Sequence, residues 1–421
     1  MDIISLLTRL AFTAIFYFIP DIFIHGAVKA SFAKNPKRAL KRYWSLNIAL
    51  FFITSSGFLL MQFMSPDFAR INLYFFGIFV SLLFAKLIVA IILLIAEDIW
   101  RIPYSLFTRK KRNVESTPEK APLLISRRKF IAKSALIAGA LPFTGFMYGI
   151  FKGRYRFTIH RETLYYSNLP DAFDGFTITQ LSDLHMGSWD TNAKYHIQTL
   201  VDEANALKSD LILFTGDIVN SRADEMSGWY EIVKQLQAPF GKISILGNHD
   251  YGDYVNWKTP EAKAANLALV KNIHPAIGFN LLLNENTSIE KEGAKIYIAG
   301  VENWGKGDFP KFGDLDLAYK GIPNDAFMLL MSHDPSHWDA KILEHPRLPN
   351  LTLSGHTHGF QMGIEVPAIR FSPSQFIYPQ WAGLYTKKDT HIYVNRGLGT
   401  VGYPGRLGIW PEITQITLRK K

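Results

Sequence analysis

The first third of the chain is apolar in long, nearly uninterrupted runs, at about Ile3–Ile24, Trp44–Met64 and Ile71–Ala96. Each is long enough to cross the roughly 30 Å hydrocarbon core of a bilayer as a helix. A fourth run, about Ala135–Phe151, is shorter and richer in glycine. A helix lying on a soluble core carries a polar stripe, and these runs carry almost none, so the pattern predicts membrane spans. Past residue 152 the periodicity changes. Short apolar runs bounded by turn residues predict strands near 156–166, 176–182, 211–215, 242–246, 295–299, 327–331, 350–354, 391–395 and 413–418, with helices near 191–207, 224–236 and 261–271. The expectation is an α/β protein in two parts: transmembrane helices over residues 1–151, then two packed, largely β layers covered by helices over residues 152–421.

Charge follows the same division. Residues 1–151 carry 19 Lys and Arg against 7 Asp and Glu, while residues 152–421 carry 27 against 29. The basic excess belongs to the membrane part, so it gives no ground for nucleic-acid binding by the second part. Lys29, Lys34, Lys37, Arg38, Lys41 and Arg42 follow the first run, and a second basic group from Arg101 to Lys133 follows the third. The positive-inside rule puts both groups in the cytoplasm, and a fourth span then carries the second domain to the extracytoplasmic side. If the fourth run only lies on the membrane surface, the sidedness inverts. Ser126, Arg127, Arg128, Phe130 and Lys133 resemble a twin-arginine export signal, whose machinery would pass the domain across already folded; the alternative is that these arginines anchor a helix end. The reading is of a multi-pass protein of a bacterial inner membrane. Arg9 lies near the end of a proposed span, but Lys86 lies near a middle and needs a specific partner inside the helix bundle. The polar segment Arg109–Leu124 reads as a flexible loop between membrane parts.

Five short blocks carry the chemistry: LSDLH with Asp183 and His185, GD with Asp217, GNHD with Asn248, His249 and Asp250, SHD with His333, and GHTH with His356 and His358. Each stands at the end of an apolar run or beside a glycine, where open α/β folds gather their sites. Imidazole, carboxylate and amide oxygen, in a chain without cysteine, suit Mn, Fe, Zn or Mg rather than a thiolate site. Two divalent cations roughly 3.5–4 Å apart repel, and a carboxylate shared between them relieves that repulsion. Asp217, after LILFTG, is the candidate bridge. His356 and His358 point to one face of an extended segment, and Gly355 and Gly359 let the backbone crowd close to a cation or phosphate. Any one block has an ordinary reading as a strand-end turn. Their joint occurrence points to a two-metal phosphoesterase. Arg396 and Arg406, in later turns, are candidate phosphate-binding guanidiniums, with packing as the alternative. The remaining histidines, His337 included, read as structural or solvated.

From about Asp171 to near the C-terminus, the block set resembles the calcineurin-like metallophosphoesterases. The resemblance implies a four-layer αββα sandwich. It implies one metal on Asp183, His185, Asp217 and His358 and a second on Asp217, Asn248, His333 and His356. It also implies His249 as the acid at the departing oxygen, Asp250 as the residue orienting it, and in-line attack on phosphorus without a covalent enzyme intermediate. Phe360 stands where many relatives have a second glycine. A site tethered beside a bilayer meets lipid headgroups and lipid-linked phosphates at high local concentration, so phosphodiesters or pyrophosphates of the membrane or envelope are the expected substrates. Trp257, Trp304, Phe309 and Phe312 are candidates for an apolar entrance, or for core packing. Two other readings stay open. One is a UDP-diacylglucosamine-type pyrophosphatase at the cytoplasmic face; the other is a non-catalytic, metal-stabilised membrane scaffold, which needs a broken ligand set where none of the expected positions is missing.

Overall fold

The computed structural model describes residues 3–32, 34–60, 66–108 and 121–421. The chain divides into two compact units, Met1–Ile150 and Phe151–Lys421.

The first unit is built of the helices Ile3–Phe18, Asp21–Ser31, Pro36–Leu60 and Pro66–Thr108 and of most of Ala121–Phe151. The first apolar run is not one straight helix. It breaks before Asp21, at Pro20, and the two pieces bend by 42°, as a proline that offers no backbone N–H permits. Asp21, just past the break, answers the requirement of Lys86: the ammonium lies 2.7 Å from Asp21 Oδ2 and 3.0 Å from the Tyr17 carbonyl, and the Tyr43 hydroxyl also donates to Asp21. A buried ammonium is tolerable only when paired and hydrogen-bonded in this way. Among the described residues, Asn72–Ala96 and Lys129–Tyr155 are helical, long and apolar enough to cross a membrane, and the bent pair Leu7–Phe18 and Asp21–Ser31 makes a third if counted as one. The fourth apolar run lies inside Lys129–Tyr155. The second is helical as far as Leu60; its last residues, 61–64, and most of the basic linker, 109–120, lie outside the described residues.

The second unit is a four-layer αββα sandwich. One six-stranded sheet runs, in spatial order, Thr158–Tyr166, Glu412–Lys420, Thr177–Leu181, Leu211–Phe214, Lys242–Ser244, Asn280–Leu281; the other runs Gly383–Lys387, Thr390–Val394, Leu351–Ser354, Met328–Met331, Ala294–Gly300, Glu285–Lys291. Central strands such as LILF, MLLM and LTLS are buried along their whole length, because one face meets the opposite sheet and the other meets helices. Ile178, Leu213 and Ile416 of the first sheet close against Ile298, Leu329 and Leu353 of the second. Helices Lys194–Ala206 and Pro260–Ala276 cover the outer face of the first sheet through Ile197, Val201, Val270 and Ile273. Leu315, Ala318, Trp338 and Ile342 cover that of the second.

All nine expected strands form. Glu285–Lys291 and Gly383–Lys387 were not expected: they are edge strands, and ENTSIEK and GLYTK carry the polar residues that protect an edge and hide the alternation. The expected helix near 224–236 is two short turns, Ala223–Met226 and Tyr230–Val233, interrupted by Gly228 at φ +84°. A two-stranded hairpin, Ile364–Val366 with Ile369–Phe371, stands apart from both sheets.

Candidate metal centre

In each sheet four neighbouring strands run parallel, and the carboxyl ends of the central ones meet at one place. Thr177–Leu181 leads to Asp183 and His185, Leu211–Phe214 to Asp217, Lys242–Ser244 to Asn248, Met328–Met331 to His333, and Leu351–Ser354 to His356 and His358. The turns that deliver them are strained. Asp183, His185, Asp217, His356 and His358 all have positive φ, between 48° and 71°. Left-handed backbone costs a side-chain-bearing residue about 1–2 kcal/mol, and such strain collects where a site fixes geometry against preference. Two glycines make the crowding feasible: a Cβ at Gly247 would lie 2.2 Å from Asp217 Oδ1, and one at Gly355 would lie 2.2 Å from Asp183 Oδ2. Gly359 packs instead on Ile409 and Trp381.

The side chains converge in three overlapping groups, Asp183–His185–His358, His185–Asp217–His249 and Asp217–His333–His356, each with donor atoms within 4.8 Å of one another. Asp217 belongs to two of the groups, as a bridging carboxylate would. Its Oδ2 lies 3.1 Å from His333 Nε2 and 3.5 Å from His185 Nε2. Asn248 turns its amide oxygen inward, 3.2 Å from His333 Nε2 and 2.8 Å from His356 Nδ1, while its NH2 donates to the Tyr254 hydroxyl at 2.6 Å. The outer nitrogens are fixed from behind: His333 Nδ1 faces the Thr215 carbonyl at 2.7 Å, His185 Nδ1 faces Asn220 Oδ1 at 3.1 Å, and His356 Nε2 faces the Tyr378 hydroxyl at 2.7 Å. The Thr215 carbonyl and the Asn220 amide oxygen can only accept, so His333 and His185 turn their N–H groups outward and present their inner nitrogens to a cation.

The electrostatics suit a cation. Asp183, Asp217, Asp250 and Asp334 are all buried, and Asp334 Oδ2 has no hydrogen-bond partner. Burial pushes His185, His356 and His358 below the ordinary imidazole value, towards the neutral form that ligates. Burial opposes a charge on His333 as well, but Asp217 overrides it and lifts that ring to about 10. Buried carboxylates that grip a proton so firmly are a donor set for divalent ions, and the residues present fit a metal centre.

The structure reassigns three expected roles. Asp250 does not orient His249. Its carboxylate accepts from the backbone N–H groups of Asp217, Ile218, Val219 and Gly247, and so staples the GD turn to the GN turn. His249 is held by the Asn220 carbonyl, 2.7 Å from Nδ1, and its ring stacks on Tyr254 with centroids 4.2 Å apart. Arg396 and Arg406 offer no guanidinium to a phosphate. Arg396 is buried between Glu365 and Glu412, and Arg406, with no exposed surface, donates to the carbonyls of Gly399 and Arg396 and lies 3.1 Å from His358 Nδ1. Of the four aromatics proposed for an entrance, Phe309 meets a candidate ligand, edge-on to His356 at 5.0 Å. Trp304 stacks on His337, Phe312 packs on Tyr251, and Trp257 donates to the Gly252 carbonyl. His337 bonds Ser332 and burial drives it down to about 4, as befits a structural histidine. Sequence reasoning missed Asn220, Tyr254, Asp334 and Tyr378; Asn220, three residues past Asp217 in GDIVN, carried the one legible signal.

A four-layer sandwich with a buried Asp/His/Asn cluster at the junction of its two parallel edges defines a metal-dependent hydrolase. The family model described as "Calcineurin-like phosphoesterase" matches residues 176–360, and one described as "Probable Calcineurin-like phosphoesterase, transmembrane domain" matches residues 5–154. The chain is 34% identical over 304 residues to the uncharacterised metallophosphoesterase YkuE of Bacillus subtilis, covering 70% of this chain and 98% of that protein. It is 27% identical over 306 residues to the phosphodiesterase YaeI of Escherichia coli, covering 70% and 100%. It is 27% identical over 282 residues to the UDP-2,3-diacylglucosamine pyrophosphatase LpxG of Chlamydia trachomatis, covering 55% and 81%. The chain belongs to the calcineurin-like metallophosphoesterases and carries an N-terminal transmembrane domain.

Proposed function

We propose that this chain hydrolyses phosphodiester or pyrophosphate bonds of lipid or envelope substrates, using two divalent ions, while its apolar helices hold it at the bilayer. The observation that carries the reading is the meeting of imidazole and carboxylate donors from distant strand ends within 4.8 Å. Asp183, His185, Asp217 and His358 would hold one ion and Asp217, Asn248, His333 and His356 the other, with Mn, Fe, Zn and Mg all suited to the donors. Such a pair, when bound, supplies Lewis-acid polarisation of phosphoryl oxygens and makes water more acidic. The chain's own groups do the rest. His249, gripped at Nδ1, keeps Nε2 for a proton at the departing oxygen. Asp250 holds the two turns that carry Asp217 and Asn248 in register.

Tethering supports a membrane-borne substrate, since it raises local concentration without any new contact. The similarity to YaeI supports diester cleavage and that to LpxG supports pyrophosphate cleavage. The intact ligand set speaks against a non-catalytic scaffold. For sidedness we favour the extracytoplasmic face of a bacterial inner membrane, on the strength of the basic segments Lys29–Arg42 and Arg101–Lys133; the twin-arginine machinery would be the partner that carries the folded unit across. The test is an assay of the purified full chain with added Mn on a soluble diester, a soluble monoester and a lipid pyrophosphate. Cleavage of diester or lipid pyrophosphate is the expected result, and turnover confined to soluble monoesters would refute the substrate class.

A further inference from the structure

We propose that the hairpin Ile364–Phe371 of the catalytic unit, together with Phe376 and Ile377, seats in the surface of the bilayer that anchors the chain. The metal cluster then draws its phosphoester from lipid in that leaflet; this second half rests on the phosphoesterase reading, and the docking itself does not.

The register of the hairpin makes the case. Ile364 pairs with Phe371, Glu365 with Arg370 and Val366 with Ile369. Alternation therefore puts Ile364, Val366, Ile369 and Phe371 on one face and Glu365 and Arg370 on the other. The charged face is tied down: Glu365 bonds Arg370 and the buried Arg396, and Arg370 lies over the Trp381 ring and donates to the Ala382 carbonyl. The apolar face looks outward, its four side chains 52%, 50%, 55% and 39% exposed. Phe376 meets Phe371 at 6.2 Å and is 77% exposed, and Ile377 beside it is 65% exposed. A contiguous apolar patch of this kind, held rigid from behind, marks an interaction surface.

Continuity with the anchor says what covers it. The apolar helix Lys129–Tyr155 ends inside the catalytic unit. There Arg154 donates to the Pro404 and Ser188 carbonyls, a Cβ at Gly153 would lie 2.2 Å from the Arg406 carbonyl oxygen, and Arg156 lies over the Trp410 ring. The far side of that same 404–410 segment pairs with the base of the hairpin, where Leu407 N–H donates to Gln361 and Gly363 N–H donates to Leu407. Residues 153–156, where the chain enters the catalytic unit, and the apolar hairpin thus share one loop. On its other flank the patch runs into the cluster, since Tyr378, next after Ile377, bonds His356. Lipid at the hairpin is lipid beside the metals.

The chain has no cysteine, so single sites can be labelled in the full-length protein. Ile369→Cys, Phe376→Cys and Glu292→Cys variants carry an environment-sensitive fluorophore and are reconstituted in vesicles of phosphatidylcholine and phosphatidylglycerol, with or without nitroxide-labelled lipid. Glu292 is an exposed turn residue beyond the edge strand Glu285–Lys291, five strand spacings, roughly 24 Å, from the strand Gly383–Lys387 that adjoins the hairpin. Nitroxide lipid is expected to quench the labels at 369 and 376 strongly and the label at 292 weakly. Equal quenching at all three, or disulfide cross-linking between copies at 369 without quenching, overturns the proposal, the latter by placing a second copy on the face. A Val366→Asp, Ile369→Asp variant is expected to turn over a soluble phosphodiester in detergent as the parent does, and a lipid phosphodiester in vesicles about ten-fold more slowly. Unchanged vesicle turnover refutes the lipid supply. Quenched labels in a parent chain with no turnover of any phosphoester refute the phosphoesterase reading and leave the docking supported.

Discussion

Asn220 holds two histidines at once, His185 by its side-chain oxygen and His249 by its carbonyl. The two contacts can be separated by mutation. Asn220→Ala removes the acceptor behind His185 and keeps the carbonyl behind His249, so metal affinity should fall about 10–100-fold; titration of metal into chelator-stripped protein checks this, and unaltered affinity would contradict it. His249→Ala should do the opposite. Metal content is retained while kcat drops by about 10²–10⁴, and loss of metal instead would make His249 a ligand. At this scale the sequence was informative for residues whose type and spacing carry the chemistry, and silent for those that act through a fold contact. Asp183, Asp217 and His333 could be picked out because acids and imidazoles at strand ends have few other uses. Tyr378 could not, because nothing in FIYPQ records that its hydroxyl reaches His356, 22 residues away. Asp250 was misread for the same reason: its neighbour in sequence is His249, but its partners are four backbone N–H groups.

Among the elements, the Arg396–Glu412 pair decides how the late turn is held against the first sheet. Glu412 is fully buried and opens the strand Glu412–Lys420, bonding Arg396 and the Tyr393 hydroxyl. Removing Arg396 leaves a buried carboxylate without its counter-charge, so Arg396→Met should destabilise the catalytic unit by about 3–5 kcal/mol, read as a shift of its denaturation midpoint. A phosphate-binding role would instead raise KM and leave stability alone. The pair also sets a pH dependence. Burial would raise the Glu412 carboxyl, but Arg396 prevails and holds it down to about 2, from an ordinary 4.5. A depressed folded value means that the contribution is complete above about pH 4.5 and is lost as pH falls towards 2. The stability gap between parent and Glu412→Gln should therefore close over that window, and a constant gap would show that the charge is not what matters. Strands buried on both faces were legible as apolar runs, whereas edge strands were not, since residues such as Lys387, Lys291 and Glu285 that guard an edge look like loop. The hairpin Ile364–Phe371 was overlooked because it pairs with neither sheet and its apolar face covers no core.

For the whole molecule the division at residue 150 separates an anchor from a reaction centre. Apolar length marked the anchor, and Lys86 marked an ion pair inside it before Asp21 was known as the partner. Sidedness depends on charge counts alone, and a reporter fused after Lys421 in the full chain should report the extracytoplasmic face; a cytoplasmic signal would return the pyrophosphatase reading to the front. In the proposed metal centre, distant strand ends grip divalent ions, and these residues make the chain a phosphoesterase. Elemental analysis of the active full-length protein beside Asp217→Asn, paired with phosphodiester turnover, tests it most directly. Two ions per chain are expected in the parent, with both bound metal and turnover lost in the variant. Full turnover by the variant, or by parent protein stripped of metal, would contradict it.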